Sequence, residues 1–257
     1  SGSDTGARVY GEMLSKMVGQ PVVVENRPGA SGQIAIQTVR QAPADGYTIL
    51  LASNSPLTVN PVVMKNLPYD PVKDFRPLVG LGKGAAAFVV KGESPHRSMS
   101  DLVAWARGAK RALNAGNYSA GYQLINTWLG TATGLEMTHV AYKGGAQMVN
   151  DVMSGDLDFG VIDFGGVQAL MKEGRVRVLA VTADRRHPAF PDIPTMKESG
   201  FADFETWVWT GFYVRSDTPE PIVQRLADLW QQVLQSEPAK AYQATQTSEV
   251  LHLKLDE

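Results

Sequence analysis

The sequence predicts an α/β fold with mainly parallel strands. Helix-type and strand-type segments alternate along almost the whole chain. Its 257 residues, 44% of them apolar, suffice for one large domain or two medium ones. Small polar loops recur between a strand end and a helix start, the places outside strand carboxyl ends where open α/β sheets hold ligands.

The elements follow from local pattern. A helix is expected over residues 4–18, where Ala7, Tyr10, Leu14 and Met17 share a stripe and Gly19 stops it. A strand is expected over 21–25, then a turn at Asn26-Arg27-Pro28-Gly29 and a helix capped by Ser31 through Arg40. The buried strand 47–52 leads through Ser53-Asn54-Ser55-Pro56 into a short helical piece, and 66–75 reads as loop. Strands at 77–81 and 85–91 flank Gly80-Leu81-Gly82-Lys83-Gly84. That run lacks GxGxxG spacing and a following helix, so it reads as a turn or bulge. A helix over 99–107 starts under a Ser98 or Ser100 cap.

The stretch 112–128 is the organising one. A strand-type run over 112–115 meets Gly116-Asn117-Tyr118, which break regular structure. A helix then follows with Leu124, Ile125, Trp128 and Leu129 on one face and Ser119 as its N-cap. Such a helix start offers unpaired N–H groups and a positive dipole end to an anion. Strands at 138–142, 157–163 and 176–183 follow, with helices at 145–153, 166–173 and 195–199 between or after them. An aromatic strand at 204–214 and a helix over 219–235 complete the pattern.

Composition excludes several function classes. A net charge of −2 with no basic run gives no reason to expect nucleic acid or an anionic membrane as partner. The absence of cysteine rules out disulfides, thiolate metal sites and a cysteine nucleophile. It fits either side of a bacterial inner membrane. His96, His139, His187 and His252 are scattered, with no HExxH, so no metal is expected. There is no Walker motif, no GxSxG elbow and no apolar run long enough to cross a bilayer. Asp156-Leu157-Asp158 reads as a strand-entry turn rather than an acid/base pair.

Four loops share the strand-end, small-polar, helix-start arrangement. Gly2-Ser3-Asp4-Thr5 opens the chain, and Ser3 or Asp4 is either an N-cap or a ligand contact. Ser53, Asn54 and Ser55 form the second, where Asn54 alternatively just stabilises a turn. Asn117, Tyr118, Ser119, Ala120, Gly121 and Tyr122 form the third, with the tyrosines as cleft walls or as packing. Ile162-Asp163-Phe164-Gly165 forms the fourth, where Asp163 either caps the helix that follows or contacts a ligand. Lys143 is a solvated lysine or an anion contact. Together these loops supply backbone N–H groups and hydroxyls with few fixed charges, which suits a small carboxylate held reversibly.

Motifs over nearly the whole chain carry a family resemblance. They include GQPVVVENRPGASG at 19–32, Ala44-Asp45-Gly46-Tyr47-Thr48 and Tyr69-Asp70-Pro71-Val72-Lys73-Asp74-Phe75. Further along come His139-Val140-Ala141-Tyr142-Lys143-Gly144-Gly145, Leu179-Ala180-Val181-Thr182 and Asp192-Ile193-Pro194-Thr195. The chain resembles the Bug, or TctC-like, solute-binding proteins of tripartite tricarboxylate transporters. The resemblance implies a type II periplasmic binding-protein fold, two α/β lobes joined by crossover strands at about 85–91 and 207–214, with the ligand cleft between them. It implies lobe 1 over 1–88 and 211–257, and lobe 2 over 89–210.

It further implies a periplasmic monomer without cofactor or catalysis. Such a protein captures a di- or tricarboxylate, an acidic amino acid or an aromatic acid and delivers it to permease subunits. The carboxylate would be gripped by residues 2–5 and 116–122, with Ser53–Ser55 and Asp163 lining the rest. The family's apolar first strand and its C-terminal part have no counterpart here. Ser1-Gly2-Ser3 reads as a native loop whose preceding strand lies outside this sequence, with a tag remnant as the other reading. A removed signal peptide is expected. The facing loop also departs from the family's Gly-Ser-rich pattern by its two tyrosines. An enzyme or a regulatory sensor domain reusing the same two-lobed fold is the alternative.

Overall fold

A computed structural model describes residues 2–251, 253 and 254. The chain divides into two compact units: Ser1–Lys83 with Trp209–Glu257, and Gly84–Val208. It passes from the first to the second after Lys83 and returns after Val208.

In the first unit, α1 (Gly2–Val18) buries Ala7, Tyr10 and Leu14, spaced three and four apart as one helical face requires. Asp4 sits in its first turn, where the dipole favours a negative charge, and Gly19 ends it at φ 67°. The expected opening loop is therefore helix from Gly2 onward, while Ser1 lies outside the described residues. Residues 21–25 form no strand. Val23 is 79% exposed, while Val22 and Val24 lie over Gly11 of α1, where a Cβ would meet their methyl groups at 3.3 and 3.7 Å.

A 3-10 turn (Ala30–Gly32) leads into α2 (Gln33–Gln41), which buries Ile36 and Val39. β1 (Leu50–Ser53) is shorter than expected, and Tyr47, expected within it, is exposed. A π-helical turn (Ser55–Val59) runs on into α3 (Asn60–Val63). Within the segment read as loop stands α4 (Pro71–Asp74), capped by Asp70 accepting from the Val72 and Lys73 N–H groups at 3.0 and 3.1 Å. β2 (Phe75–Lys91) is continuous, so Gly80-Leu81-Gly82-Lys83-Gly84 is strand rather than turn.

The second unit contains α5 (Met99–Ala109), capped by Ser98; β3 (Leu113–Asn117); α6 (Ala120–Thr133), capped by Ser119; and β4 (Met137–Ala141). It continues with α7 (Gly145–Ser154), β5 (Phe159–Asp163), a 3-10 turn (Phe164–Val167), α8 (Gln168–Lys172) and β6 (Val176–Val181). Gly116 and Asn117 belong to β3 instead of breaking it, and residues 195–199 form turns instead of a helix. The strands run β4–β3–β5–β2–β6. The first three are parallel, and β2 is antiparallel to both β5 and β6. Both faces of this sheet are covered. Phe88 packs with Phe159, Leu102 and Leu129 on one side, while its neighbour Val89 packs with Met148, Val152 and Ile162 on the other.

β7 (Trp207–Arg215) returns the chain to the first unit, where it pairs antiparallel with β1 (Leu50↔Tyr213 through Ser53↔Thr210). The β1–β7 pair is antiparallel, a departure from the mainly parallel expectation. α9 (Glu220–Gln235) packs Val223, Ala227 and Trp230 against Tyr10 and Leu14, with Trp230 stacked on Phe212 at 4.0 Å. α10 (Glu237–Gln243) follows, and β8 (Glu249–Val250) pairs with β2 at Gly82 and Lys83.

Candidate functional site

The first unit holds two of the predicted loops in altered form. Ser3, Asp4 and Thr5 lie in the first turn of α1 rather than in a loop. The Asp4 carboxylate accepts hydrogen bonds from Asn26 Nδ2 at 2.7 Å and Arg8 Nε at 3.0 Å. The Asn26 bond, with the Arg8 charge, holds its pKa below the usual carboxylate range. Ser53 ends β1, Asn54 is already helical, and Ser55 is buried at the start of the π-helical turn.

What holds that turn was not visible in its own residues. Tyr69 donates its hydroxyl to Pro56 O at 2.5 Å. Asn60 Nδ2 donates to Ser31 O and to the Tyr69 hydroxyl at 3.0 and 3.1 Å. One amide and one phenol thereby tie Ser31, Pro56 and Asn60 into a single framework.

The second unit gathers the other predicted residues. Asn117 is the last residue of β3, and its carbonyl accepts from Tyr142 N at 2.9 Å. Ser119 caps α6, its hydroxyl accepting from Tyr122 N at 3.5 Å, and Ala120, Gly121 and Tyr122 form the first turn. The rings of Tyr118 and Tyr122 pack at 4.6 Å between centroids. Burial pushes both phenols up in pKa, and the nearby Asp163 charge adds to the shift. Tyr118 also lies so close to Gly145 that a Cβ there would meet its ring at 3.2 Å.

Asp163 ends β5 and adopts the cap alternative, its Oδ2 accepting from Gly166 N at 3.1 Å. Burial raises its pKa against the pull of the Gly166 and Gly165 amides. The side-chain nitrogen of Asn117 is buried with no hydrogen-bond partner among the described residues. Beneath it in sequence, Asn126 Nδ2 donates to Gly116 O at 3.2 Å, a contact ten residues long that helical periodicity does not reveal.

The remaining sequence candidates separate. Asp158 forms a bidentate pair with Arg111 at 2.5 and 2.8 Å, whereas Asp156 accepts from Ser154 Oγ. Lys143 is exposed. His252 lies outside the described residues, and among those described no three His, Cys, Asp or Glu residues cluster as a metal site. Among the described residues no helix is long and apolar enough to cross a membrane. The chemistry on offer at β3–α6 is thus donor-rich and poor in fixed positive charge: a helix N-terminus, a capping hydroxyl and an unused amide N–H.

The family described as tripartite tricarboxylate transporter family receptor (TctC) matches residues 7–251. A UPF0065 protein of Bordetella bronchiseptica is 35% identical over 199 residues, 77% of this chain and 59% of that protein. The aligned part of the chain therefore spans about three fifths of that relative's length. The solved structure of the periplasmic binding protein BugD matches with a TM-score of 0.91 and 30% identity, over 98% of this chain and 85% of that one. R. palustris Rpa4515 with adipate matches at 0.92 and 31%, over 98% and 85%. MatC (Rpa3494) from Rhodopseudomonas palustris with bound malate matches at 0.90 and 25%, over 96% and 85%. The fold is that of the periplasmic binding proteins, and the chain belongs to the TctC family.

Proposed function

We propose that this protein is a periplasmic receptor that captures a small organic carboxylate and hands it to the permease subunits of a tripartite tricarboxylate-type transporter. It acts as a monomer and performs no chemistry. One observation carries the reading. At the start of α6, a helix N-terminus stands beside the buried amide nitrogen of Asn117, which has no partner among the described residues. A carboxylate satisfies such donors without a fixed cation. The adipate and malate named with two structural relatives support the same ligand class. Asn117, Ser119, Ala120, Gly121, Tyr122 and Asp163 would contribute from the second unit, and Ser3, Asp4, Thr5, Ser53, Asn54 and Ser55 from the first. Tyr118 supports the loop through its packing on Tyr122.

The test is a melting-temperature screen of the purified protein against adipate, malate, citrate, aspartate and benzoate, followed by calorimetry on any hit. A ligand at a hundredfold over its dissociation constant adds about 2.7 kcal/mol of stability. A clear shift with one site per chain is expected. A cooperative melt that no acid displaces overturns the assignment.

A further inference from the structure

Thr182 closes the Leu179-Ala180-Val181-Thr182 motif one residue beyond the end of β6, and it is fully buried. Its hydroxyl donates to Thr206 O at 2.7 Å and accepts from Ala86 N at 2.9 Å. Its own N–H donates to Ala86 O at 2.9 Å, and its carbonyl accepts from Thr206 N at 3.0 Å. One residue thus makes four hydrogen bonds, two to each of two segments distant in sequence.

Those segments are the two by which the chain enters and leaves the second unit. Entry is at Gly84 and exit is after Val208, so Ala86 and Thr206 each lie two residues inside the boundary. On its other edge Ala86 pairs with Asp163 of β5. A lateral row of backbone and hydroxyl contacts therefore runs Asp163–Ala86–Thr182–Thr206, from a candidate ligand residue to both passages. The regular β2–β6 pairing stops at Ala87↔Val181, and the Thr182 hydroxyl supplies one further rung. A valine of the same shape would fit the space but leave the Ala86 N–H and the Thr206 carbonyl short of a partner, which buried backbone seldom tolerates.

We propose that Thr182 is a positioning residue for ligand capture. Its hydroxyl pins the two passages to each other beside Asp163, so that bending of the chain between the units is confined to residues outside the pin. This rests on the binding-protein reading above.

The full chain is compared as wild type, Thr182→Val, Thr182→Ala and Thr182→Ser. The first readout needs no ligand: amide hydrogen exchange of Ala86 against Leu129 and Val161 in the core of the same unit. Exchange at Ala86 should rise at least tenfold in Thr182→Val, or in Thr182→Ala should the valine variant fail to fold, and return to wild type in Thr182→Ser. Leu129 and Val161 should not change. Equal exchange at Ala86, or the same acceleration at all three amides, overturns the pin. The second readout is adipate dissociation by stopped flow, expected at least threefold faster without the hydroxyl and unchanged with serine. Local loosening with unaltered dissociation overturns the role in capture. If wild-type protein binds none of the screened acids, the binding reading fails, and exchange still decides whether Thr182 pins the passages.

Discussion

Replacing Asn117 by alanine separates a ligand contact from a structural amide, because the two roles predict opposite patterns. The side chain is 2% exposed, and its nitrogen has no partner among the described residues. An unpaired buried donor costs the unliganded protein about 1–3 kcal/mol. Alanine removes that cost but gives up packing worth about 1.6 kcal/mol, counted as two methylene equivalents at about 0.8 kcal/mol each. The terms nearly cancel, so the unliganded melting temperature should move by no more than about 2–4 °C in either direction. With ligand the same nitrogen would donate to a carboxylate, an interaction worth about 1.5–3 kcal/mol, so affinity for adipate should fall roughly 10- to 150-fold. Differential scanning calorimetry without ligand and titration calorimetry with it measure the two quantities on one preparation. A variant that melts more than about 8 °C lower yet binds as wild type refutes the assignment of Asn117 to the site.

Two further predictions concern groups whose environment is explicit. Burial raises the Asp163 pKa above its ordinary value of 3.8, so the folded state holds that proton more tightly than the unfolded one. Its contribution is fully present below about 3.8 and is lost as pH rises through the raised value. Asp163→Asn can still cap Gly166 N and should therefore gain melting temperature relative to wild type as pH rises from about 3 to 7; a constant difference across that range contradicts the buried-carboxylate account. Among the glycines, Gly92→Ala would set a Cβ 1.8 Å from Gly174 O, a backbone atom, whereas Gly108→Ala in α5 meets nothing within 4 Å. Urea midpoints should show Gly92→Ala destabilised by about 1–3 kcal/mol and Gly108→Ala stabilised by about 0.5–1 kcal/mol; similar values for both would show that backbone approach does not decide these sites.

Local chemistry made the helices legible. Ser98 and Ser119 accept the cap hydrogen bonds their positions foretold, and Gly155 and Gly174 stop their helices at φ 90° and 71°. The misread segments are those whose state is decided by distant partners. Gly80 and Gly82 look like turn residues, yet they lie in β2 where residues 249–251 and 253 pass. A Cβ on Gly82 would stand 3.0 Å from Glu249 O, and one on Gly80 3.2 Å from Leu251 Cβ. The valines at 22–24 have strand propensity but no ladder, and two of them serve as cover for Gly11 instead. In the second unit's loops, Asn117, Ser119 and Asp163 could be named from strand-end and cap signals. Asn126 and Thr182 could not, because their hydrogen bonds reach 10 to 96 residues along the chain.

The arginines sharpen the question of how an acid would be recognised. Arg40 is paired with Asp74, Arg111 with Asp158, Arg186 with Glu198 and Arg215 with Asp217. Arg215 also ties the Arg40 and Ala42 carbonyls at the end of α2, at 2.9 and 2.7 Å. These guanidiniums are committed to holding elements together inside their own units. A carboxylate meeting the start of α6 would be bound by neutral donors: each bond is charge-assisted through the ligand's own charge, with no fixed cation to pair with it. For the receptor proposed above, which would have to release its cargo, this is an advantage. Affinity is assembled from several neutral donors, and separating them dissolves it without breaking a buried ion pair. It follows that salt should affect adipate binding little. An affinity falling steeply with ionic strength would instead point to a fixed cation at the site and against the dipolar grip.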